Sequence, residues 1–383
     1  MKTVGIICEY NPFHNGHIYH LKKVKEMFND SLVILVMSGN FTQRGTPSII
    51  NKWDKTVIAL EYGIDLVVEL PFPFASQSAD IFARGAISIL KELKVNYLIF
   101  GSESNDVTLL TKCASISLSD EYQLEVKKNI SKGINYPTAL SNGFKPFIKD
   151  NLFLPNDLLG LSYIKEIAIQ KANITPITIK RVSNNYHDLD INGEIASASS
   201  IRSYFTSGKD FSKAVPYMVL DKMKDSLFIQ ENYFKFLKYK ILSTNDLSIY
   251  QTVDEGIENR IKKAISSSTT WSELIEKVKT KRYTYNKINR MLIHILCDFT
   301  KDEASCFKDI TYIRVLGFNK KGQKYLGSIK KGINLPIITT FSKDNAMLQL
   351  EARVTAVYAS VLDENEKNRL IYDEYATKVI IKQ

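Results

Sequence analysis

The sequence predicts an α/β fold, a doubly wound parallel sheet followed by a second, mainly helical and basic domain, and three observations predict it. Short runs rich in β-branched residues recur through the first half of the chain, continuous rather than alternating, as expected of strands buried on both faces. Longer stretches with apolar residues at helical spacing separate them. After Gly208 the strand runs give way to helical periodicity with frequent Lys and Tyr. Alternation of strand and helix sets successive strands parallel, with helices on both faces.

In chain order, residues 4–9, 32–37, 65–70, 97–100 and 174–182 read as strands, and 17–28, 51–62, 78–93 and 156–170 as the helices between them. Helical periodicity continues at 233–240 and 288–297, with short strand candidates at 311–316 and 335–339. The division expected is a domain over residues 1–208 and a second over 209–383. In an open parallel sheet, ligands sit outside the carboxyl ends of the strands. That rule selects residues 10–17, 38–45, 71–77 and 101–103, all rich in polar residues, Gly or Pro. Gln43, Arg44, Asp54, Glu69 and Gln77 are candidates to line an acyl or nucleoside pocket there. Arg44-Gly45 reads equally as a solvated turn, and Asp54 as an exposed helix charge.

The chain of 383 residues has 44% hydrophobic and 24% charged residues, which excludes disorder as the expectation. Its net charge of +10 is unevenly spread. Residues 1–205 carry 21 Lys and Arg against 20 Asp and Glu, whereas 206–383 carry 30 against 21, a surplus that suits a polyanion. Cys8, Cys113, Cys297 and Cys306 are scattered, with neither zinc-site nor disulfide spacing. No apolar run reaches membrane-span length and none resembles a signal-peptide core, so a cytoplasmic protein with no membrane partner is expected.

Residues Glu9 to His17, EYNPFHNGH, leave the first strand, turn at Asn11-Pro12 and enter a helix near Gly16-His17. A helix amino terminus already favours an anion through its unpaired N–H groups and dipole. Two imidazoles there, His14 and His17, can donate to α- and β-phosphate oxygens as charge accumulates on departing pyrophosphate. Gly16 is expected to let the backbone approach the phosphates without a Cβ in the way. A bare H-x-x-H recurs by chance, but strand, Asn-Pro turn, H-x-G-H and helix in order make the pattern specific.

A second phosphate element begins another helix at Ser197-Ala-Ser-Ser-Ile-Arg202. Hydroxyls and free N–H groups of Ser199 and Ser200 form an anion nest, which Arg202 can reach from one turn later. Helix capping by Ser199 is compatible with that role. His14, His17, Ser199 and Arg202 are thus the expected catalytic set, stabilising charge with no protein nucleophile.

The H-x-G-H pattern resembles the signature of the nucleotidyltransferase superfamily, whose sheet is of the Rossmann-like type. More narrowly, residues 5–17, 37–53, 65–80, 100–103, 154–165 and 179–188 resemble the bacterial tRNA(Met) cytidine acetate ligase family. The likeness extends to KRYTYNKINRML at 281–292 and YIRVLGFNKKG at 312–322, so it spans nearly the whole chain. The Ser/Arg element is similar to one that replaces the lysine-rich loop of class I aminoacyl-tRNA synthetases. The resemblance places ATP contacts on Ile7, Cys8, Glu9, Tyr10, Asn11, Pro12, Phe13, His14, Asn15, Gly16, His17 and His20, and on Gly101, Asn156 and Arg181. Gly101 follows a strand end and suits close approach to a nucleotide, while Asn156, after Pro155, also reads as a helix N-cap.

Residues 277–290 carry six cations and no acid, with aromatics interleaved. Lys277, Lys279, Lys281, Arg282, Lys287 and Arg290 can neutralise phosphates, and Tyr283 and Tyr285 can stack on unpaired bases. A solvated basic helix with its tyrosines in the core is the competing reading. The resemblance implies a two-step ligase: acetate and ATP give acetyl-adenylate and pyrophosphate, then the wobble cytidine of elongator tRNA(Met) takes the acetyl group. Mg²⁺ is expected on the phosphates, with few protein ligands and no dedicated metal site. The rivals are an adenylyltransferase acting on a phosphorylated metabolite and a tRNA-binding protein that retains a relic nucleotide site.

Overall fold

The computed structural model describes residues 1–148, 154–181, 191 and 193–383. Eight strands form the sheet: β1 (Thr3–Cys8), β2 (Leu32–Ser38), β3 (Leu66–Leu70), β4 (Tyr97–Ser102), β5 (Thr175–Lys180), β6 (Ile313–Asn319), β7 (Ile337–Ile338) and β8 (Ile380–Lys382). Their order is β5-β4-β1-β2-β3-β6-β7, with β8 paired to β6. Strands β1 to β5 are parallel, in register from Thr3↔Leu32 to Cys8↔Met37 between the central pair. Every residue of β2 is buried, which is why its sequence is an unbroken apolar run. The strand order reverses between β1 and β4, and a doubly wound sheet opens a crevice at such a switch point.

The helices Asn15–Met27, Lys52–Glu61, Ala79–Glu92 and Pro155–Ile169 fall where apolar spacing places them. Asn51 starts the second, its Oδ1 accepting from the N–H groups of Trp53 and Asp54 at 3.0 Å. Three further helices, Val107–Ser117, Asp120–Ser131 and Tyr136–Gly143, follow β4. Residue 182, the expected end of β5, lies outside the described residues, as do 182–188 of the stretch at 179–188.

The sheet does not stop at the boundary expected near residue 208. Strand β6 pairs antiparallel with β3, Leu66 opposite Phe318, and carries β7 and β8 beyond it. Asp65 fastens this junction, its Oδ2 accepting from Val33 N–H at 2.8 Å and its Oδ1 from Asn319 Nδ2 at 2.7 Å. The chain after β6 passes so close that a Cβ on Gly322 would lie 2.0 Å from the Asp65 carbonyl oxygen.

Beneath the junction lies a buried ionic cluster. Lys52 Nζ is 2.7 Å from Glu69 Oε1 and 2.8 Å from Glu374 Oε2, and Arg314 bridges the same two carboxylates. Burial would raise the Glu374 pKa, but Arg314 and Lys52 outweigh it and hold the group below its ordinary value. Glu351, buried beside them, goes the other way, raised to about 8 by burial and then by the Glu69 charge. Two cations thus meet two carboxylates and one neutral acid, a balance that makes a buried cluster tolerable. Glu69, a candidate pocket residue by sequence, is instead fully buried in this cluster.

Candidate active site

Strand β1 ends at Cys8, and the chain turns through Tyr10, in the left-handed region at φ 47°, and a cis Asn11-Pro12 bond to reach His14. His14 caps the Asn15–Met27 helix. Its Nδ1 accepts from Gly16 N–H at 3.0 Å, and His17 Nδ1 accepts in return from His14 N–H at 3.1 Å. Two otherwise unpaired helix donors are satisfied reciprocally. With both Nδ1 atoms accepting, each ring carries its proton on Nε2 and offers that N–H as its donor. The rings lie 3.8 Å apart, and His17 Nε2 is 3.4 Å from Cys8 Sγ.

Burial, then the charges of Arg181 and Arg202, holds the His14 pKa at about 3. Burial also lowers His17 well below its ordinary value, with His14, His20 and Arg181 adding to the effect. His20 falls to about 4 for the same first reason, then Arg181, and its Nε2 is buried with no partner among the described residues. The cluster is therefore neutral at neutral pH, with Arg181 and Arg202 supplying nearby positive charge. A Cβ on Gly16 would sit 2.7 Å from His14 Cε1, so its missing side chain also makes room for the imidazole.

The other residues of the turn mostly build it. Tyr10 and Phe13 are buried and flank His17, with ring centroids 4.7 and 5.4 Å away. Ile7 and Pro12 are buried, and Asn11 pins the segment after β2, its Oδ1 accepting from Ile49 N–H at 2.8 Å. Asn15 Nδ2 donates to the carbonyls of Glu194 and Lys213, both at 2.8 Å. Arg202 donates to the Asn11 carbonyl at 2.5 Å, which brings the second phosphate element to the first.

That element, the Ala198–Thr206 helix, is capped by Ser197 rather than Ser199. Ser197 Oγ accepts from Ser200 N–H at 3.0 Å and lies 2.8 Å from the buried Ser200 Oγ. Ser199 is exposed, and its Oγ accepts from Arg44 Nη1 at 3.4 Å. Arg44, in the turn at residues 43–44, thereby reaches the helix start.

Gly101 on β4 faces Arg181, whose Cγ would be 3.1 Å from a Cβ at that position. Arg181 Nη1 donates to Asn156 Oδ1 at 3.4 Å. Asn156 is not an N-cap, since Leu154 holds that position. The helix start is satisfied by Glu103, which accepts from the N–H groups of Asn156 and Asp157 at 3.3 and 3.0 Å. Asp157 reciprocates, accepting from the N–H groups of Glu103 and Ser104 at 3.1 Å each. Sequence reasoning placed Glu103 in a selected loop without giving it a role and passed over Asp157, which looks like a solvated helix charge.

It also passed over Lys55. Its buried Nζ donates to the carbonyls of Glu9, Ser38 and Gly39 at 3.1, 2.9 and 2.8 Å, tying together the ends of β1 and β2. Burial lowers its pKa to about 7 despite the Glu9 charge. The available signal is that Lys52 and Lys55 share the helix face of Thr56, Ala59 and Leu60. Among the other pocket candidates, Asp54 pairs with Lys222 at 2.8 Å and Gln77 is buried.

The basic segment is less free than its sequence suggests. Tyr283 is buried, its hydroxyl donating to Glu255 at 2.9 Å, so it is a core residue and not a stacking platform. Arg282 pairs with Glu255 at 2.7 Å and Lys277 with Glu273 at 2.5 Å. Lys287 Nζ sits 4.7 Å from the Tyr283 ring centre, and Lys279 Nζ 5.4 Å from that of Tyr285. Lys279, Lys281, Arg282 and Tyr285 are exposed. Arg290 is turned inward, its Nη1 donating to the Gln43 carbonyl at 3.1 Å, and burial lowers its pKa to about 10.

Among the described residues no helix is long and apolar enough to cross a membrane, and no group of three or more His, Cys, Asp or Glu is placed to hold a metal ion.

Known proteins match this chain along nearly its whole length. The model of the HIGH nucleotidyl transferase family matches residues 1–373. A tRNA(Met) cytidine acetate ligase of Geobacillus sp. (strain WCH70) is 39% identical, with all of both chains covered. The apo crystal structure of Thermotoga maritima TmcAL has a TM-score of 0.91 at 30% identity, covering 100% of this chain and 99% of that one. The same protein bound with alpha-thio ATP gives a TM-score of 0.89 at the same identity and coverage. The family model's match over residues 1–373 and the 39% identity over the full length of a tRNA(Met) cytidine acetate ligase make this protein a member of the HIGH nucleotidyl transferase family and, within it, of the tRNA(Met) cytidine acetate ligases.

Proposed function

We propose that the protein is an ATP-dependent ligase that acetylates the exocyclic N4 of the wobble cytidine in elongator tRNA(Met). Acetate attacks the α-phosphorus of ATP, forming a carboxylate–phosphate anhydride and releasing pyrophosphate. The cytidine amine then attacks the acetyl carbonyl, the C–N bond forms, a proton leaves nitrogen and AMP departs. Neutral His14 and His17 donate through Nε2–H to phosphate oxygens while Arg181 and Arg202 offset the charge that develops on pyrophosphate. Mg²⁺ accompanies ATP, held chiefly by phosphate and water oxygens.

The observation that carries this reading is the His14–His17 cap, in which both Nδ1 atoms accept backbone N–H groups and the Nε2 atoms are the donors at a positive helix end, that of His17 lying 3.4 Å from Cys8 Sγ. The choice of acetate and tRNA rests on the family and on the names its members bear. Labelled acetate should enter tRNA only when ATP and elongator tRNA(Met) are both present. Formation of a dinucleotide from a phosphorylated metabolite, with no acetate-dependent pyrophosphate exchange, would sink the proposal.

A further inference from the structure

We infer that Arg290 is a positioning residue for adenylate formation, acting through the Gln43–Gly45 loop, and not a contact for RNA; the inference rests on the adenylate-forming reading above. Its guanidinium holds the Gln43 carbonyl at 3.1 Å. On the other side of the same residue, Gln43 N–H donates to Glu9 Oε1 at 2.6 Å, at the root of the His14–His17 turn. The next residue, Arg44, reaches Ser199 of the second phosphate element. Gly45, at φ 72°, closes the loop directly on the Tyr285–Leu296 helix, where a Cβ would lie 2.3 Å from Arg290 N.

Each end of this chain of contacts is fixed. The loop is pinched by Thr42 N–H to the Thr46 carbonyl at 3.0 Å and Gly45 N–H to the Thr42 carbonyl at 2.9 Å. Beside Arg290, the Asn289 Oδ1 accepts from Trp271 Nε1 at 3.0 Å and Gln230 Nε2 at 2.7 Å, holding the helix in its core. The loop therefore has one firm backing, and its far side sets Glu9 and Ser199. An arginine here supplies a donor that spans from the helix to a carbonyl, where a shift of ~1 Å at a reacting site costs on the order of 10²-fold in rate.

The test compares Arg290→Met and Arg290→Lys with the wild type in acetate-dependent ATP–pyrophosphate exchange without tRNA, alongside tRNA affinity and calorimetric ATP affinity. Arg290→Met should lower kcat/KM for exchange by about tenfold or more, with tRNA affinity within about twofold, and Arg290→Lys should recover part of the loss. Unchanged exchange, or a tenfold loss of tRNA affinity with exchange intact, overturns the inference. If Arg290→Met does not fold, Gly45→Ala strains the loop without removing a charge; it should show the same selective loss, and full exchange in it overturns the inference as well. Absence of exchange in the wild type would defeat the ligase reading instead, and ATP affinity of Arg290→Met against wild type would still judge Arg290, weakened binding supporting it and equal binding overturning it.

Discussion

The His14–His17 turn and the 277–290 segment both present nitrogen donors, and they are built in opposite ways. In the turn, backbone hydrogen bonds fix each ring, burial keeps it uncharged, and the field comes from Arg181 and Arg202. In the segment the cations are mostly exposed, and two of them are held by acids, Arg282 by Glu255 from another segment and Lys277 by Glu273 one turn earlier on the same helix. On the proposed function, the difference teaches that a group meant to meet a transition state is preorganised, whereas a surface for a polyanion needs only density of charge.

The sharpest way to break that contrast is His17→Ala. It should lower acetate-dependent pyrophosphate exchange by about 10²–10³-fold while leaving tRNA affinity within about twofold; similar losses in both would erase the distinction. Gly16→Ala, which drives a Cβ into the His14 ring, is expected to cost about 10–10²-fold in exchange through displacement of the imidazole. Retained exchange would show that the ring tolerates the shift.

Acidity should separate the regions next. His14 and His20 are held at about 3 and 4 against an ordinary 6.5, so the unfolded chain binds more protons between those values. Their contribution to stability is complete above pH 6.5 and is lost as pH falls toward 4 and then 3. Urea unfolding at pH 7.5 and pH 5 measures it, and His14→Asn should flatten the dependence. The smallest effect belongs to the surface: Lys279→Gln with Lys281→Gln should weaken tRNA binding a few-fold and lower the salt slope by about one to two. Neutralisation that abolished exchange would remove the contrast altogether.

Strands β1 to β5 and the turn were legible because their signals are local. An apolar run buried on both faces, or strand, turn, H-x-G-H and helix in succession, is complete within a few residues. What escaped depends on residues far apart in the chain. The antiparallel pairing of β6 with β3 joins Leu66 to Phe318, and no local pattern announces it. Lys52, Arg314 and Glu374 each resemble a surface charge, and Glu69 a pocket residue, until folding brings them together. Arg290 and Tyr283 read as part of a basic, aromatic surface because the partners that turn them inward, Gln43 and Glu255, come from other segments. The need for a glycine at 16 has a second cause that spacing alone does not announce, the His14 ring two residues before it.

The β3–β6 junction bears on whether the proposed acyl activation is portable. A polypeptide ending near residue 208 would leave β3 as a bare sheet edge, open to pairing with another molecule. It would also strip Lys52 and Glu69 of Arg314 and Glu374 in the protein interior. Grafting the activation chemistry onto a different RNA-recognising body would therefore require carrying residues 312–319 and 364–376 along with the amino-terminal half, as one inheritance unit rather than two interchangeable parts.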